Sequence, residues 1–109
     1  MPCQHDLSYL FGGAVLANAI PHLVSGLLGQ PFQTPFAKPR GQGRSSAIVN
    51  VVWGFLNLAL SYVLLCRVGD FDLHASDQIM AAAAGALAIS LMLAWWFGRF
   101  NGGNTPSAL

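Results

Sequence analysis

The chain has 109 residues, of which 54% are hydrophobic and only 8% charged, and its formal net charge is +1. Soluble domains carry roughly 25% charge, so this chain is too poor in charge to solvate a globule. It also lacks the clustered Lys and Arg that would neutralise nucleic-acid phosphates. The length allows one domain at most, and long apolar runs make an all-α integral membrane protein the expected fold class.

No Lys or Arg precedes the first apolar run, so a secretory signal is not expected and the segment should stay in the mature protein. That run covers residues 9–29, about one bilayer thick as a helix. It contains Asn18, Pro21, His22 and Ser25 but no acid, Lys or Arg. Pro21 removes one backbone donor, which predicts a kink and a carbonyl at Ala17 in need of another partner.

Residues 30–46 follow, with Pro31, Pro35, Pro39, Gly41 and Gly43, and these exclude a regular helix. Pro31-Phe32 and Pro35-Phe36 repeat at a four-residue offset, so both rings are expected to dip towards lipid. Lys38, Arg40 and Arg44 make this the basic loop, with Ser45 or Ser46 capping the next helix. Glycine amides and basic side chains ahead of a helix N-terminus suit an anion, for which a phospholipid headgroup is the natural candidate here. The GxxxxGK[ST] spacing of a phosphate loop is absent.

The second run, residues 47–66, is again one bilayer thick. A short acidic connection leads to the third run, residues 79–97, with Ser76 or Asp77 as the expected cap. The third run ends at Trp95-Trp96 and Arg99, an aromatic belt with a cation that can reach headgroups. The expected architecture is therefore three transmembrane helices, up-down-up. Lys38, Arg40, Arg44 and Arg99 fall on one side and Asp6, Asp70, Asp72 and Asp77 on the other, with Arg67 as the exception. The positive-inside rule then places the N-terminus out and the C-terminus in, in a plasma membrane or a bacterial inner membrane.

The polar residues of the first two helices form matching faces. Asn18, His22 and Ser25 share one helical face, and Asn50, Gly54, Asn57 and Ser61 share another. Antiparallel packing puts Asn18 level with Asn57, Ser25 with Asn50, and His22 with Gly54. Hydrogen bonds across such a seam contribute about 0.6–2 kcal/mol each. The bland reading is interhelical glue. The functional one is a small polar cavity with His22 as its titratable group, since intramembrane ionisable residues point to function.

Other constellations carry less. Ser25, His22 and Asn18 project from one helix, so they cannot form a nucleophile and base with room for substrate, and no catalytic residue is assigned. Haem would need two copies of His22 in a homodimer. His5, His74 and the aspartates show no metal-ligand spacing, and no motif calls for a cofactor. Cys3 and Cys66 fall on the same side, where a disulfide is an open possibility. Ala81, Gly85 and Ala88 give the third helix a small-residue face for close helix contact, within the chain or between chains.

Three classes of function compete. A non-catalytic accessory or assembly subunit, packing against another membrane subunit through the third helix, is the leading expectation. The alternative is a homo-oligomeric transporter or channel for a small solute, lined by Asn18, His22, Asn50 and Asn57. A lipid- or quinone-modifying enzyme ranks last, because no acid–base pair lies at membrane depth. In size the chain is similar to the dimeric sugar half-transporters of the semiSWEET type, but beyond Pro21 it lacks their helix-breaking proline motif. It also lacks the fourth span and membrane glutamate of small multidrug transporters. Neither comparison assigns a residue.

Overall fold

The computed structural model describes residues 2–105, with side chains from His5 to Thr105. The chain runs α1 (Pro2–Leu27), β1 (Phe32–Gln33), β2 (Arg44–Ser45), α2 (Ala47–Tyr62), a π-helical segment (Val63–Val68) and α3 (Ser76–Asn101). Three stretches, His5–Leu27, Ala47–Val68 and Ser76–Asn101, are helices long and apolar enough to cross a membrane. The longest, at 26 residues, spans roughly 39 Å at 1.5 Å per residue.

The helix ends follow from local chemistry, with two departures from expectation. α1 stops at Leu27 rather than Gly29, because Gly29 takes φ 74° and reverses the chain. Gln30 N–H then donates to Ser25 O and Gly29 N–H to Gly26 O, the paired bonds of a Schellman cap. Ser46 caps α2 by accepting from Val49 N–H, as expected. α3 begins earlier than its apolar run, and neither Ser76 nor Asp77 caps it: the N-cap is Ala75, without a side-chain bond. The preceding turn is instead held by Gln78 Oε1, which accepts from Asp72 N–H, and by Asp72 Oδ1, which accepts from His74 N–H.

α1 is the central helix. It packs against α2 on one side and α3 on the other, while α2 and α3 scarcely meet. The small residues permit this arrangement. A Cβ on Gly13 would collide with the Ala82 carbonyl, and one on Gly85 would collide with the Leu10 carbonyl. The two backbones therefore touch where α1 and α3 cross. The glycine of the small-residue face on α3 is thus used inside the chain, whereas Ala88 on the same face is exposed. Gly54 of α2 is filled by Leu23 rather than by His22.

At the end where α1 begins, the Tyr9 hydroxyl accepts from Asp70 N–H at 3.0 Å and its ring meets Phe71 edge-on. Ser61 Oγ donates to the Gly12 carbonyl at 2.9 Å, tying α2 to α1 nearby. Cys66 is exposed, and the Cys3 side chain lies outside the described residues.

The opposite end differs most from the sequence expectation. Residues 30–46 form a two-stranded antiparallel hairpin, with Phe32 opposite Ser45 and Gln33 opposite Arg44. It folds over the helices rather than lying beside them. Gln33 and Thr34 are buried. Phe32 does not dip away from the protein but meets His22 and Phe97 edge-on at centroid distances of 5.5 and 4.7 Å. Phe36 packs on Trp53 at 4.8 Å while staying largely exposed. Asn50, 18 residues beyond Phe32, donates to the Phe32 and Ser45 carbonyls, so drawing the hairpin onto the helices leaves these backbone acceptors paired.

Candidate functional site

Asn50 joins the elements around the site. Its position on the buried face of α2, four residues after the cap Ser46, aims the side chain at the hairpin and at α1 together. Asn50 Nδ2 donates to the carbonyls of Phe32, Ser45 and Ser46 at 3.3, 3.1 and 3.0 Å. Its Oδ1 meets His22 Nδ1 at 2.7 Å. Three surrounding carbonyls fix which end of the amide is nitrogen, so the oxygen faces the imidazole. An amide oxygen has no proton to give, and Nδ1 must therefore donate. A neutral imidazole carries one N–H, which leaves the lone pair on Nε2. Nε2 has no hydrogen-bond partner among the described residues.

The expected seam is only partly realised. Asn18 Nδ2 donates to Asn57 Oδ1 at 3.0 Å, the pair anticipated from depth, and Asn57 Nδ2 donates back to the Trp53 carbonyl at 2.8 Å. His22 pairs with Asn50 instead of lying opposite Gly54. Ser25 does not pair with Asn50. Its hydroxyl turns to the carbonyls of Gln30 and Pro31 at 3.0 and 3.3 Å, because the chain reverses immediately beyond it.

His22 is 2% exposed and ringed by aromatic edges, with Trp53 and Phe97 centroids at 6.4 and 6.5 Å in addition to Phe32. Beside it lies an open cleft of about 370 Å³. Asn18 and His22 of α1, Trp53 of α2, Trp96 and Phe97 of α3, and Gln33 of the hairpin contribute to its wall. The cleft follows from the fold, since α2 and α3 both lean on α1 but not on each other. Its lining is overwhelmingly apolar and contains no Asp, Glu, Lys or Arg.

The hairpin is latched across one end of the cleft. Trp96 Nε1 donates to the Gly41 carbonyl at 2.8 Å. Gln33 and Asn101 exchange side-chain amide bonds at 3.2 and 3.3 Å. Lys38, Arg40 and Arg44 are all exposed. Of the three, only Arg44 lines a second, more polar pocket of about 370 Å³, with Ser25, Gln30, Gln33 and Asn101. Arg99 lies over the rings of Trp95 and Trp96, 5.3 and 4.8 Å from their centroids.

Sequence reasoning missed Trp53, Phe32, Gln33, Trp96 and Phe97 as neighbours of His22. Trp53 was findable, because it lies three residues after Asn50 and four before Asn57, on the same side of α2. The hairpin residues and those of α3 carried no such signal. Comparison with protein-family models, with curated proteins and with solved structures finds no match, so the geometry alone carries the functional reading.

Proposed function

We propose that this protein is a non-catalytic, multi-pass membrane protein that binds a small membrane-soluble molecule in the His22 cleft. The observation that carries this reading is a free imidazole nitrogen in an otherwise apolar, aromatic cleft. Ligand sites commonly combine such walls with a few placed polar groups, and an ionisable residue at membrane depth is a site by default. The proposed orientation is N-terminus out and C-terminus in, with the hairpin and the end of α3 on the basic, cytoplasmic side. The cleft then opens sideways to lipid near that face.

The test is purification in native-lipid nanodiscs followed by mass spectrometry of the extracted small molecules. A hydrophobic compound should accompany the wild-type chain and be depleted from Leu93→Trp, which fills the cleft. An identical small-molecule profile for the two proteins would refute the cleft as a binding site.

A second reading, an accessory subunit, is favoured by one separate feature. Met80, Leu87, Leu91 and Trp95 of α3 are all more than half exposed, and a partner helix could pack there. Recovery of a stoichiometric foreign subunit would support it. The transporter alternative, in which Asn18, His22, Asn50 and Asn57 line a path, requires the bonds Asn18–Asn57 and His22–Asn50 to open during each cycle.

A further inference from the structure

Resting on the cleft as a binding site, we propose that its occupant is a neutral ring compound with a free hydroxyl and a hydrocarbon tail, a phenol or quinol, whose hydroxyl donates to His22 Nε2. The tautomer of His22 decides the class. Trp96 Nε1 is committed to Gly41 and the Thr34 hydroxyl to a bond with Ser45, while Asn18 Nδ2 and Gln33 Nε2 each use one of two N–H groups on Asn57 and Asn101. On the imidazole itself only acceptor capacity remains, at Nε2, which has no donor among the described residues; Asn18 Oδ1 has none either. A ligand O–H in the cleft would give His22 Nε2 the donor that the described residues do not supply.

Two further features narrow the choice. No charged side chain lines the cleft, which disfavours an ionised carboxylate or amine, since a buried charge needs a partner. Trp53, Trp95, Trp96 and Phe97 supply ring faces and edges for a flat aromatic head, and the open side lets a tail leave along the helices. A quinone, with acceptor oxygens only, would set lone pair against lone pair at Nε2. At His22 Nε2 the geometry therefore favours the reduced, hydroxylated form over the oxidised one.

The test uses the full chain in nanodiscs and a matched pair, para-nonylphenol and para-nonylanisole, which differ only in the methyl group that removes the donor. Quenching of tryptophan fluorescence reads binding, with concentrations expressed per lipid so that unequal partitioning cancels. The phenol should bind about tenfold more tightly than the anisole, the effect of one hydrogen bond to an otherwise unpaired acceptor. His22→Phe should bring the phenol down to the level of the anisole. Equal binding of both probes to the wild-type chain overturns the donor assignment while leaving the cleft as a site. Binding of neither probe removes the cleft and this inference together. A phenol preference that survives in His22→Phe overturns the role of His22. The wild-type pair decides the ligand class even if the variant does not fold.

Discussion

Asn50 is the side chain on which most of the site depends. Its two amide N–H groups are shared among three carbonyls and its oxygen sets the imidazole tautomer, joining hairpin, α1 and α2 with one fully buried group. Asn50→Ala should therefore destabilise by about 2–4 kcal/mol, because several buried partners lose their bonds at once. Asn57→Ala removes one interhelical bond and should cost about 1 kcal/mol. Equilibrium unfolding in mixed detergent micelles measures both, and equal losses would show that Asn50 is not the shared anchor. Asn50→Asp tests the tautomer from the other direction. A carboxylate still accepts from His22 Nδ1 but cannot donate to the three carbonyls, so the hairpin should loosen while the imidazole keeps its bond. Hydrogen exchange at Gln33 and Thr34, set against the nitrogen shifts of His22, separates the two effects.

The helices and the hairpin depend on close backbone approach more than on side-chain interlocking. Gly13 and Gly85 let α1 and α3 touch at their carbonyls, and in lipid such contact supplies association energy that apolar side chains cannot. Gly85→Leu should force α3 away from α1 at a cost of about 1–3 kcal/mol, whereas Ala88→Leu, at an exposed position of the same helix, should be near neutral. Disulfide trapping between cysteines introduced at Ala14 and Ala86 reports the separation directly, and unchanged trapping in Gly85→Leu would contradict the crossing geometry. The hairpin is held by polar latches at its tip and base, so Trp96→Phe should keep the aromatic wall while releasing Gly41. Faster amide exchange confined to the 34–43 turn is the expected outcome.

Taken as a whole, the molecule is polarised along its long axis. One end carries the hairpin, Arg44, Arg99 and the paired Gln33 and Asn101, and the other carries Tyr9, the 69–75 turn and its aspartates. Contacts such as Gln33–Asn101 and Tyr9–Asp70 place these groups at opposite ends, and the proposed orientation, N-terminus out and C-terminus in, rests on the placement of the Lys and Arg residues. In right-side-out vesicles, an impermeant maleimide should label Cys66 without permeabilisation. A cysteine placed at Lys38 or at Asn104 should react only after permeabilisation. Labelling of both ends from one side would rule out the three-span arrangement.

Apolar runs and charge placement were enough to establish three helices, their approximate lengths and a basic loop between the first two, because hydrophobic length and helical period act locally along the chain. They also established the Asn18–Asn57 pair, since two straight helices of known direction have a predictable depth. Everything that makes the site specific depended on groups far apart in sequence. Pairing of His22 with Asn50 rather than a place opposite Gly54 came from the early α1 stop at Gly29 and from the way the hairpin carbonyls draw the Asn50 amide. Phe32 turns inward because folding lets its backbone satisfy Asn50, a bond that ring hydrophobicity does not encode. The cleft exists because α2 and α3 each pack on α1 and leave a gap between them. That is a property of helix arrangement, and no single segment contains it.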